Sequence, residues 1–181
     1  MDKTPGIRPR PTLWHMLDVA SRYAFPGVLT GAVLLLLSTP LGLPGQAQMQ
    51  PAWALCCVFF WSLFRPASLP AGVVFILGLL LDLLAQGPIG IGVLILLLVH
   101  GAALRFRRVL VRRGFALVWL SFVGFAACAT FLEWLLVSLL TWRGLPPWPG
   151  AFEFGMAVGF YPLLATVLTK AHRGIAAPER A

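Results

Sequence analysis

Six apolar runs, parted by short connectors that gather nearly all the arginines, constrain this chain more than any other feature. The runs cover Pro26–Leu43, AWALCCVFFWSLF after Pro51, Pro70–Ala85, Ile89–Leu104, Phe115–Leu140 and Phe152–Thr169. Crossing the hydrocarbon of a bilayer takes about 20 helical residues, with a range of roughly 17–25, so the runs predict membrane helices. The second run is short, and is expected to thin the bilayer, to pair tightly with the third, or to fall short of spanning. Of 181 residues, 59% are apolar and 11% charged, against about 45–50% and about 25% in soluble domains. No polar stretch is long enough to fold alone. The expectation is an all-α, polytopic integral membrane protein. A cytoplasmic N-terminal segment would occupy 1–25, a six-helix transmembrane domain 26–170 and a cytoplasmic tail 171–181.

Orientation follows from where the cations fall. With six crossings and the N-terminus inside, Lys3, Arg8, Arg10, Arg22 and Arg65 lie on the inner side. So do Arg105, Arg107, Arg108, Arg112 and Arg113 of RFRRVLVRR, and Lys170, Arg173 and Arg180 of the tail. Only Arg143 is left outside, and an incorrect helix count would scramble that asymmetry. The net charge of +8 is therefore a membrane-orientation signal, and no nucleic-acid partner is expected. Residues 1–11 are expected to be disordered. The stretch TLWHMLDVASRYA places Leu13, Leu17, Ala20 and Ala24 on one face, which fits an interfacial amphipathic helix. The alternative is an overlong start to the first membrane helix. Small residues at Gly45 and Ala47 imitate a signal-peptide cleavage site, but the preceding apolar run exceeds the usual length of about 7–15 residues.

Signatures of soluble enzymes are absent: there is no glycine-rich phosphate loop, no HExxH and no Cys/His metal spacing. Cys56, Cys57 and Cys128 read as small apolar packing residues, and His15, His100 and His172 stand apart in sequence. No catalytic, cofactor-binding or metal residue is expected.

The embedded acids carry more information. Asp82 lies about 18 Å along its helix from Pro70, and Glu133 about 27 Å from Phe115, both toward the outer face. They are candidates for a shared polar pocket. A functional cavity, a structural hydrogen bond to another helix and snorkelling to the interface all stay open. Two ionised acids at one depth repel, so one is protonated or a cation or donor bridges them. Glu153 opens the sixth helix, where its charge gains about 0.3–1 kcal/mol and needs no further role.

GVLTG (Gly27, Gly31) and GMAVG (Gly155, Gly159) carry the spacing that lets membrane helices approach closely, and Pro162 is expected to kink the sixth helix. RFRRVLVRR suits anionic lipid at about 1 kcal/mol per basic residue, an acidic cytoplasmic partner, or topology alone.

Together, Pro51-x-Trp53, a short second helix, and Gly78-Leu-Leu-Leu-Asp82 with a downstream Gly90 resemble the rod shape-determining protein MreD family. TFLEWL around Glu133, and Tyr161-Pro162 ahead of Lys170, extend the resemblance over most of residues 50–173. One departure is Gln86, with the glycine here at Gly87. The resemblance implies a bacterial inner-membrane component of the cell-elongation (Rod) complex that supports peptidoglycan synthesis and rod shape. It implies MreC as closest partner, with RodA, penicillin-binding protein 2 and MreB nearby, no cofactor and no catalytic residue. It also implies a fold similar to the membrane substrate-binding subunits of vitamin importers. The competing expectation, from the paired acids and short helices, is a small-solute transporter subunit. Short outer connectors (44–50, 86–88, 141–151) weigh against it, since little is available to lid a ligand.

Overall fold

The short second run turns out to be the axis of the molecule. The computed structural model describes residues 13–40, 42, 45–85, 87–142 and 144–176, with side chains from 23 to 169. The expected disorder of residues 1–11 lies outside the described residues, as do Gln86, Arg143, Arg180 and the side chains of His15, Arg22, Lys170, His172 and Arg173. Among the described residues the chain is all-α. Its helices are α1 (Leu13–Ser38), α2 (Gln46–Phe64), α3 (Ala71–Ala85), α4 (Ile91–Leu110), α5 (Phe115–Thr141) and α6 (Trp148–Ala176), and a 3-10 turn covers Pro66–Ser68.

Helix α2 is buried without interruption from Ala54 to Leu63. A helix that is apolar all round belongs in a core. It packs against α1, α3, α4 and α6, and Phe59 reaches α5 at 5.2 Å from Phe122 and 5.5 Å from Phe125 between ring centroids. Its apolar part meets protein on every side, and its first turns carry the polar Gln46, Gln48 and Gln50. Gln46 and Gln50 reach across to α1, where both side-chain amides donate to the Leu37 carbonyl at 2.8 and 3.3 Å. Two of the free carbonyls at that helix end are thereby engaged, since Gln46 also donates to Thr39.

Three expected boundaries move. The amphipathic stretch and the first apolar run form one helix, α1, because Pro26 removes a single backbone hydrogen bond without ending it. Helix α4 runs six residues past Leu104, so Arg105, Arg107 and Arg108 are helical rather than looped and only Arg112 and Arg113 lie in the turn. Arginine is a good helix former, and cations favour a helix C-terminus. Helix α6 starts at Trp148, with its prolines in and just before the first turn, where no donor is lost.

Pro162 leaves α6 a single helix. Lacking an N–H, it frees the carbonyl of Val158, and Trp119 Nε1 of α5 donates to that oxygen at 3.3 Å. Nearby, Tyr161 stacks on Phe122 at 4.2 Å and 15°. By length and composition, α5 and the Trp148–Thr169 part of α6 are long and apolar enough to cross a membrane, while the apolar stretches Tyr23–Ser38 and Ala71–Ala85 are shorter.

Candidate functional site

Asp82 has found partners inside its own chain. It sits near the end of α3, and its carboxylate crosses to the start of α4. Oδ2 accepts from the Gly90 N–H at 2.7 Å and the Val93 N–H at 3.3 Å, and Oδ1 accepts from the Gly92 N–H at 2.8 Å. The first turn of any α-helix has unsatisfied N–H groups and a positive dipole end, so an anion held there is answered on both counts. Asp82 is thus a helix cap supplied from the neighbouring helix.

The surrounding glycines make the cap fit. Gly90 precedes α4 at φ 105°, a left-handed conformation that favours glycine. A Cβ on Gly78 would lie 2.5 Å from the Val93 Cα, so only a glycine lets α3 and α4 come this close. A Cβ on Gly92 would collide with the Asp82 carboxylate itself. Gly87, a candidate at sequence level, is exposed with nothing within 4 Å of its Cβ position. Gly92 was overlooked, although glycine one residue into a helix that follows an acid-bearing hairpin is a legible signal.

Beside this staple opens a cavity of about 400 Å³ between the starts of α2 and α6 and the ends of α3 and α5. Asp82, Glu133 and Glu153 all line it, with Gln50, Thr130 and Trp134. The expected pairing of Asp82 with Glu133 in one pocket is therefore present. Glu153 joins them, contrary to its expected place at the helix start: α6 begins five residues earlier, so Glu153 lies beyond the first turn and is buried. Gln50 is buried too, and its Oε1 has no hydrogen-bond partner among the described residues. The Trp134 indole donates to the Leu145 carbonyl at 3.0 Å, pinning the proline-rich connector as one wall. No group of His, Cys, Asp and Glu among the described residues is arranged to hold a metal ion.

Other candidates separate clearly. Gly27 and Gly31 are consumed internally, since their Cβ positions would lie 2.7 Å from Val73 and 3.6 Å from Leu77 of α3. Gly155 and Gly159 are exposed with nothing near, so that face of α6 is open. Of the five arginines in the basic stretch, Arg107 is built in: its Nε donates to the Leu63 carbonyl at 2.6 Å and caps α2. Arg105, Arg108, Arg112 and Arg113 are exposed. His100, apart in sequence from any nucleophile, lies 2.7 Å from the Ser62 hydroxyl. That hydroxyl also donates to the Val58 carbonyl at 2.5 Å, and both side chains are buried away from the cavity, as a core hydrogen bond would be.

The model of the rod shape-determining protein MreD family matches residues 25–168, from the middle of α1 to the last turns of α6. The chain belongs to the MreD family. Searches of curated proteins and of solved structures find no match. MreD is a bacterial membrane protein family with a shape-determining, structural role. The Gly78-to-Asp82 motif that resembled it is the α3–α4 staple.

Proposed function

We propose that this protein is a non-enzymatic scaffold of the cell-elongation complex in the bacterial inner membrane, with six crossings and both termini in the cytoplasm. In this reading MreC docks its single transmembrane helix on the protein. RodA, penicillin-binding protein 2 and MreB belong to the wider assembly that supports peptidoglycan synthesis and rod shape. Membership of a rod shape-determining family supports this role. The observation that carries the docking is the contrast between two glycine pairs: Gly27 and Gly31 are filled by α3, whereas Gly155 and Gly159 face outward beside exposed Phe152 and Leu163. In lipid, where apolar surfaces gain little from leaving their solvent, small residues allow close backbone approach and so favour helix association.

The test is disulfide or bifunctional cross-linking from Gly155→Cys in membranes containing MreC. A cross-link to MreC from position 155 and none from Gly27→Cys is the expected result. Unchanged rod shape and MreC recruitment after depletion would refute the scaffold role.

A second reading, a small-solute transporter subunit related in fold to the vitamin importers, draws support from the acid-lined cavity alone. It expects saturable binding of a small cationic or vitamin-like ligand that is lost in Glu133→Gln. Glu133 is the better probe than Asp82, whose replacement would open the staple.

A further inference from the structure

At the opposite end of the bundle, a cleft of about 560 Å³ lies between α1, the α2–α3 connector and α4. Its walls are Tyr23, Phe64, Arg65, Pro66, Ser68 and Arg107. Two guanidinium side chains thus border one space, and no carboxylate of the described residues lines it. Arg65 issues from the break after α2, where its backbone N–H donates to the Trp61 carbonyl at 2.8 Å. Its Nη1 is buried and has no hydrogen-bond partner among the described residues. Arg107 commits Nε to the Leu63 carbonyl, which fixes the guanidinium at the cleft with its Nη donors free of partners among the described residues. A buried cationic donor without an acceptor is costly, and with a second guanidinium bordering the same cleft the site calls for an anion.

The anion's chemistry follows from the donors and the rim. Planar guanidinium forks match phosphate oxygens, and the Ser68 hydroxyl adds a neutral donor. Tyr23 and Phe64 are both partly exposed and give the cleft an apolar lip. The cleft stands at the arginine-bearing end of the helices, beside exposed Arg105 and Arg108. We propose that this cleft binds the phosphate of an anionic phospholipid headgroup, with Arg65 as its principal ligand and Arg107 and Ser68 as supporting donors. A lipid satisfies both the phosphate-seeking donors and the apolar lip, whereas a free phosphate satisfies only the first.

The experiment uses the full chain in nanodiscs of phosphatidylcholine, with or without phosphatidylglycerol, and counts retained lipid by native mass spectrometry. Arg65→Gln should lower retained phosphatidylglycerol about fivefold or more, while Arg112→Gln, exposed and outside the cleft, should change it by less than about twofold. Ser68→Ala, which keeps both charges, should lower it about twofold to threefold and serves if the arginine variant fails to fold. Equal retention by wild type, Arg65→Gln and Ser68→Ala would overturn the proposal. So would inorganic phosphate binding in pure phosphatidylcholine nanodiscs that phosphatidylglycerol does not compete. Displacement of the lipid from the wild type by a polyglutamate peptide, with no headgroup preference of its own, would instead assign the cleft to an acidic protein partner.

Discussion

Asp82, a buried carboxylate, and Arg65, a half-buried side chain with a buried Nη1, stand at opposite ends of the same three helices and are treated in opposite ways. Asp82 receives three backbone N–H donors from Gly90 and the first turn of α4, none of which a carbonyl of the helix can reach. Arg65 keeps a buried Nη1 that nothing in the described chain accepts. A charge answered within the fold is part of its architecture. A charge left unanswered implies that something else completes it. The cavity beside Asp82 falls between the two cases, since the Asp82 oxygens are engaged while the Gln50 Oε1 is not.

Substitutions at the two ends should therefore diverge in stability, read by thermal or denaturant unfolding of the purified protein. The largest loss is expected from Gly78→Val. Its side chain would be forced into the Val93 backbone at the cost of overpacking, about 3 kcal/mol. Asp82→Ala should follow at about 2 kcal/mol, because the orphaned donors of α4 stay buried, and Asp82→Asn should lose about half of that. Trp119→Phe removes the donor to the carbonyl that Pro162 frees and should cost about 1 kcal/mol. Arg65→Gln should be the mildest, within about 0.5 kcal/mol, since no partner among the described residues is lost. A loss at Arg65 as large as that at Asp82 would erase the distinction between the two ends.

Much of this was legible beforehand. The six helices follow from hydrophobic runs broken by glycine and proline; the runs match α3 and α5 closely, whereas α1, α2, α4 and α6 depart from theirs by a turn or more at one end or both. That Asp82 and Glu133 are candidates for one pocket follows from the rise per residue combined with the assigned orientation, and both line the same cavity. What the residues withheld was direction. Nothing in GLLLDLLAQGPIG reveals that the Asp82 carboxylate turns toward the backbone of the next helix, because that depends on the α3–α4 distance set by Gly78. The two glycine pairs look alike in sequence, yet one is covered and one open, a difference only neighbouring helices decide. Glu153 lies deeper in α6 than the apolar run implies, because the helix starts at Trp148 with proline in its opening turn, where proline is welcome.

The enclosed position of α2 also bears on how the molecule is made. This helix is synthesised well before α6, one of its main walls, which follows after three further helices. Until α6 arrives, Cys56 and Phe59 lack their contacts with Ala157 and Tyr161, and the aromatic cluster around Phe122 is unfinished. Assembly accordingly closes at α6, so a nascent chain cut short before residue 148 would expose its own centre to whatever lies alongside.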